Sequence, residues 1–320
     1  MLLNILITQY NEDESVIKPL LDSIANQINV DFRHDLAVII VGSGPYKLDS
    51  YFLSKYPYSI EYIRIEDNGV SNARNIALDY SSADYIMYCD ADDRFYNMLG
   101  IYFILNEIRK EPFDLLSSKF INQYVDSEGN LRMKNIDSED STFIHGKCYR
   151  RNFLLSNNIR WNESLRVHED SYFNVLVKIL AKKRRVCETP FYMWCNNPKS
   201  VTKKDPDFIF KTYKCFIDSL DAIITELLKR DLEVYAQCQM GHIVFDVYFL
   251  MNSEKWLHSK YKPETERRFK ALYKKYGYLF EELPQEYKLE SYKRSKETSY
   301  EYGEMYEKIT FTDWLKSVLK

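Results

Sequence analysis

Short apolar runs and amphipathic stretches alternate over residues 2–120, and no other feature restricts the fold as strongly. Residues 2–8 are an apolar run. Residues 15–27 then carry Val16, Ile17, Leu20, Leu21 and Ile24 at helical spacing. Residues 36–41 are almost wholly apolar and rich in β-branched side chains, as in a parallel strand buried on both faces. The pattern continues with a short helix at 51–56, a strand at 60–65 and a helix from Ser71 to residue 80. A strand at 85–89, a helix at 98–110 and a strand at 114–120 complete it. Strands that alternate with helices are joined by crossovers. The order therefore predicts an α/β fold with a mostly parallel sheet flanked by helices.

Beyond residue 120 the order breaks. Residues 123–125 and 131–133 flank Ser127-Glu128-Gly129-Asn130 and predict a hairpin. Residues 147–156 and 170–182 read as helices, and 186–188 and 191–194 as short strands. Helical spacing then dominates, at 208–229, 233–251, 263–276 and 312–319. Lys203-Lys204-Asp205-Pro206 interrupts both patterns, so the expected division is an α/β domain over 1–204 and a helical region over 205–320.

A hydrophobic content of 45% in 320 residues is enough for a packed core. With 28% charged residues and a net charge of −3, the chain lacks the basic excess of a dedicated nucleic-acid binder. None of the six cysteines forms a C-x-x-C pair, and several lie in apolar runs, which fits a reducing cytoplasm. The first apolar run is too short for a signal peptide and lacks a basic flank. No apolar run reaches transmembrane length, so no spanning helix is expected. A peripheral contact with the inner face of a membrane and a homo-oligomer stay open.

The run Tyr85-Ile-Met-Tyr-Cys-Asp-Ala-Asp-Asp93 ends in three carboxylates, Asp90, Asp92 and Asp93. Carboxylates so close repel one another unless a cation or fixed donors lie between them. Mg²⁺ and Mn²⁺ favour such oxygen ligands, and strand ends in α/β sheets are where ligands bind. Taken alone, the run fits a metal–phosphate site and an acidic turn equally well.

Five segments in order resemble family 2 glycosyltransferases with the GT-A fold, a Rossmann-like sheet, over residues 1–204. The first is Ile5-Leu6-Ile7-Thr8-Gln9-Tyr10-Asn11-Glu12, a strand and polar loop. Gly69-Val70-Ser71-Asn72-Ala73-Arg74-Asn75 is similar to the family's Gly-x-Ser-x-Ala-Arg-Asn, and Asp90-Ala91-Asp92-Asp93 to its D-x-D-D form. Glu169-Asp170-Ser171-Tyr172-Phe173 resembles Glu-Asp-x-x-Phe. The fifth part comprises Ile144-His145-Gly146-Lys147 and the later Tyr192-Met193-Trp194 and Ser200-Val201-Thr202-Lys203.

The resemblance implies that Thr8, Gln9, Tyr10, Glu12, Gly42, Asn72, Arg74, Asp90, Ala91, Asp92, Ser200 and Lys203 bind the nucleotide-sugar donor. It implies that Asp92, with Asp90, holds Mn²⁺ or Mg²⁺ on the diphosphate. Asp170 is the expected catalytic base, and Glu169, His145 and Trp194 lie on the acceptor side. The family's Asp-Asp-Gly-Ser after the second strand is absent; Gly42-Ser43-Gly44-Pro45 stands there. The implied activity is an inverting, metal-dependent hexosyl or N-acetylhexosaminyl transfer. The implied donor is a nucleotide-diphosphate sugar, with a UDP-sugar as the expected form. The acceptor is a glycan hydroxyl, on a bacterial surface polysaccharide or teichoic acid. Two rival readings are a transferase acting on a modified DNA base and a catalytically silent nucleotide-sugar-binding protein.

Overall fold

Four parallel strands build one half of the sheet in the order β3-β2-β1-β4: β1 (Leu3–Gln9), β2 (Leu36–Gly42), β3 (Ser59–Arg64) and β4 (Tyr85–Asp90). The chain winds outward from β1 to β3 and then returns to the other side of β1. That reversal leaves a crevice at the carboxyl ends of β1 and β4, where Thr8 stands beside Asp90 and Gln9 beside Gly42. The computed structural model describes residues 1–140, 142–198, 207–257, 259–299 and 309–320.

Strand β1 shows why the centre is α/β. Leu3, Ile5 and Ile7 join the core on one face while Leu6 joins the core on the other. Helix α1 (Glu14–Ala25) begins where the Asp13 carboxylate accepts from Ser15 and Val16 amides, and buries Ile17, Leu20, Leu21 and Ile24 on the first face. Short α2 (Ser50–Leu53) adds Phe52 and Leu53 there. Helix α3 (Val70–Tyr80) covers the opposite face with Ala73, Ala77 and Leu78. Each fully buried Leu or Ile among these contributes roughly 1.5–3 kcal/mol, and each Ala about 0.8 kcal/mol.

The second half of the sheet runs β8-β6-β9-β5 outward from β4, with β7 paired to β6. These are β5 (Arg94–Phe95), β6 (Leu115–Val125), β7 (Leu131–Ile136), β8 (Lys147–Arg150) and β9 (Arg184–Trp194). Helices α4 (Gly100–Lys110), α5 (Arg151–Ser156) and α6 (Glu169–Leu180) complete this part. The expected hairpin is β6–β7. The helix expected over 147–156 is instead strand β8 followed by α5. Tyr149 pairs with both Ile86 and Leu115, so two neighbouring strands override local propensity. The two short strands expected at 186–194 are one strand with an irregular register. Its extra residues flank Pro190, which has no N–H to give the ladder.

The chain divides into two compact units, Met1–Pro198 and Lys199–Lys320. The second contains α7 (Phe208–Lys229), α8 (Glu233–Met251), α9 (Glu254–Leu257), α10 (Lys262–Glu282), α11 (Gln285–Ser299) and α12 (Phe311–Leu319). Trp256, Phe249 and Phe269 are fully buried in it. Helix α11 gave no sequence signal because its buried positions are Ser291, Ser295 and Ser299 rather than apolar residues. Among the described residues, no helix is long and apolar enough to cross a membrane.

Candidate active site

Strand β4 carries the site out of the core. Tyr85, Met87 and Cys89 pack on the α1 face, and Ile86 and Tyr88 on the α3 face. The two-residue period puts Asp90 on the α3 face as well. There its carboxylate meets the Arg74 guanidinium at 3.1 Å. Phe173 and Val177 fix α6 to the same face, with Phe173 stacked on Trp161 at 4.2 Å between centroids. The first turn of α6 therefore delivers Glu169 and Asp170 to the same guanidinium, at 3.2 and 2.7 Å. Trp161 lies 4.4 Å from the guanidinium carbon and supplies a cation–π contact.

Arg74, expected at the donor, lies against these three carboxylates with its side chain 4% exposed. Burial opposes its charge, but Asp170, Asp90 and Glu169 outweigh burial and raise its pKa. One cation thus faces three carboxylates, and Glu169 is pushed well above the ordinary range by burial and by neighbouring Asp170. His168 precedes them with φ 63°, a left-handed conformation uncommon outside glycine, so the entry to α6 is strained.

The acidic loop holds its three carboxylates differently. Asp92 accepts a 2.7 Å hydrogen bond from Asn197 Nδ2. Asp93 is buried, accepting from the Tyr192 hydroxyl and the Cys195 amide, each at 2.8 Å. Burial, then Asp90 and Asp92, pushes its carboxyl well above the usual range. Ala91, between them, is also buried. Asp90, Asp93 and His145 each offer one ligand atom, all within 4.8 Å of one another. Sequence reasoning paired Asp90 with Asp92 for a cation; the structure adds Asp93 and His145 to the acids around Asp90. Of these residues, the partly exposed carboxylates of Asp90 and Asp92 suit a hard divalent cation, whereas Asp93 and His145 are buried and both Asp93 oxygens already accept hydrogen bonds.

The β1 loop closes the other wall. Gln9 is buried, donating to the Glu12 carbonyl at 2.7 Å and the Tyr46 carbonyl at 3.2 Å. Tyr10 is exposed, and its amide donates to the Glu12 carboxylate at 2.7 Å. Glu12 has a raised pKa, first from burial, with Asp92 and Asp90 adding repulsion. Thr8 is half-buried at the crevice. Gly42 has no room for a side chain: an added Cβ would sit 2.4 Å from the Gln9 Oε1. Asn72 donates to Glu163 at 3.3 Å, at the start of α3.

In place of the family's missing Asp, Arg64 ties down the loop after β2. Its guanidinium donates to the carbonyls of Ser43, Gly44 and Tyr46 at 3.3, 2.6 and 2.9 Å. No sequence signal marked Arg64, because it lies on an edge strand outside every motif. Asn197 and Trp161 were likewise missed. On the expected acceptor side, His145 is 3% exposed and stacks with Tyr192 and Trp194, each at 5.3 Å. Burial pushes it down to about 4. Trp194 is half-buried over that ring. Ser200 and Lys203, expected at the diphosphate, lie outside the described residues.

The profile of glycosyl transferase family 2 matches residues 4–175. The teichoic acid poly(glycerol phosphate) polymerase of Staphylococcus epidermidis is 26% identical over 240 residues, covering 68% of this chain and 32% of that protein. The minor teichoic acid biosynthesis protein GgaB of Bacillus subtilis is 23% identical over 276 residues, 77% of this chain and 29% of its own length. The chain thus spans about a third of the length of these two relatives. The crystal structure of S. aureus TarS 1-349 in complex with UDP-GlcNAc superposes with a TM-score of 0.63 at 18% identity, over 95% of this chain and 93% of that one. That likeness is one of fold.

Proposed function

Because the chain belongs to glycosyl transferase family 2, we propose that it transfers a hexose or N-acetylhexosamine, with inversion, from a UDP-sugar to a hydroxyl of a cell-wall polymer of the teichoic acid type. The observation that carries the reading is the single guanidinium of Arg74 between Asp90 and Asp170, at 3.1 and 2.7 Å. It sets the base at a fixed distance from the acidic loop, as a single displacement requires: leaving group on one side, attacking hydroxyl on the other. The teichoic acid proteins among the relatives and the UDP-GlcNAc complex of TarS support the donor and acceptor classes.

In this reading Tyr10, Gln9 and the Gly42 loop receive the nucleotide. Asp90 and Asp92 would hold Mg²⁺ or Mn²⁺, with Glu12 adding negative potential beside them. When bound, the cation neutralises charge on the departing diphosphate. Asp170, on the α6 turn, accepts the proton of the acceptor hydroxyl as its oxygen attacks the anomeric carbon. Glu169, whose carboxyl holds its proton more tightly, hydrogen-bonds on the acceptor side rather than acting as base. Trp194 offers an aromatic face to the acceptor, over buried His145.

The test is transfer from UDP-GlcNAc, and from other UDP-sugars, to poly(glycerol phosphate) or poly(ribitol phosphate). Asp170→Asn is expected to retain UDP binding and lose ~10²–10⁴ in turnover. Undiminished transfer by that variant removes Asp170 as the base, and undiminished transfer in excess chelator removes the metal.

A further inference from the structure

One buried hydroxyl joins two of the three loop acids. The Tyr192 hydroxyl donates to Asp93 at 2.8 Å and accepts from the backbone amide of Asp90 at 3.2 Å. Tyr192 itself cannot shift. It is fully buried, its ring stacks on His145 with a 15° interplanar angle, and its backbone pairs with Phe95 immediately after the loop. From Asp93 a second arm runs outward: the Cys195 amide donates to its other oxygen at 2.8 Å, which fixes the turn that carries Asn197 to Asp92.

We propose that Tyr192 is a positioning residue for the acidic loop, with Asp93 as its buried anchor: together they set the directions in which Asp90 and Asp92 face a divalent cation on the donor diphosphate. The proposal rests on the metal reading of that loop given above. Asp93 turns inward because its two oxygens are already taken by the Tyr192 hydroxyl of β9 and the Cys195 amide just beyond it. Asp90 and Asp92 stay partly exposed, one bonded to Arg74 and the other to Asn197, and the frame around Asp93 holds the loop backbone that carries them. Partners of this kind, which orient ligands without touching the metal, change metal affinity when removed.

The probes are UDP and Mn²⁺, with free Mn²⁺ followed by electron paramagnetic resonance and the fold followed by circular dichroism. Tyr192→Phe keeps the ring and its stacking and deletes only the hydroxyl. It is expected to fold and to weaken Mn²⁺ binding ~10–100-fold in the presence of UDP. Asp93→Asn is expected to weaken it in the same direction. Binding within twofold of the parent for Tyr192→Phe, while Asp92→Asn loses Mn²⁺, shows the hydroxyl to be packing alone and overturns the proposal. Loss in Asp93→Asn without loss in Tyr192→Phe also overturns it, because Asp93 would then be a ligand and not an anchor. A parent that binds no Mn²⁺ with UDP removes the metal reading itself, a failure distinct from the other two.

Discussion

Replacing Arg74 by Met takes away the one cation that, among the described residues, touches all of Asp90, Glu169 and Asp170, and leaves a side chain of similar length over Trp161. Glu169 and Asp170 are only 13 and 21% exposed, and Phe173 of the same helix, stacked on Trp161, holds them in place. Breaking a buried ion pair by removing one partner costs roughly 3–5 kcal/mol, because the other charge stays buried and uncompensated. For a unit of this size, each kcal/mol lowers Tm by about 2–4 °C, so the expected fall is roughly 6–20 °C. The comparison is Arg160→Ala, which breaks a solvent-exposed pair with Asp79 and should cost at most ~1 kcal/mol. Adding Glu169→Gln to Arg74→Met removes one of the stranded charges and should return part of the loss, a non-additivity expected of groups in one network. Thermal melts of the four proteins at one pH decide it. If Arg74→Met melts no lower than Arg160→Ala, or if Glu169→Gln makes Arg74→Met worse, Arg74 does not hold the three carboxylates together.

Two further predictions concern α8 in the second unit, where His242 and Asp246 lie one turn apart. Burial, then Arg294, pushes His242 down to about 4, so the unfolded chain binds more protons between that value and the ordinary 6.5. Its contribution is complete above the ordinary value and is lost as pH falls towards 4; His242→Gln should remove this acid-side loss, up to about 3 kcal/mol. Burial pushes Asp246 up to about 6, so here the folded chain binds more protons and stability falls as pH rises from 3.8 towards that value. Asp246→Asn should abolish that fall, also up to about 3 kcal/mol, leaving the opposing His242 slope exposed. Denaturant melts from pH 4 to pH 7 test both, and parallel pH profiles for parent and variants would refute them.

The elements of the first 120 residues were legible because their signals are local. Apolar runs such as residues 36–41 can only be buried strands, and a capped amphipathic stretch such as residues 15–27 can only be a surface helix. Where pairing partners decide, the same reasoning fails. Residues 147–150 become a strand because β4 and β6 flank them, and α11 is helical although its buried positions are serines, with Tyr292 adding contacts to Phe245 and Phe249.

The site divides in the same way. Sequence alone placed the candidate acids: Asp90, Asp92 and Asp93 at the end of a strand, and Glu169 and Asp170 where a helix over 170–182 was expected to begin. It could not decide which way each acid faces. That followed from the tertiary structure, because direction depends on strand parity and on donors distant in sequence. Asp90 shares the α3 face with Tyr88, and so meets Arg74. Asp93 turns inward because Tyr192 and Cys195, about a hundred residues later, donate to it. Arg74 reads in sequence as a cation for the diphosphate. Only the packing of α6 against Trp161, which brings Glu169 and Asp170 to within 3.2 Å, makes it the centre of an internal ion cluster.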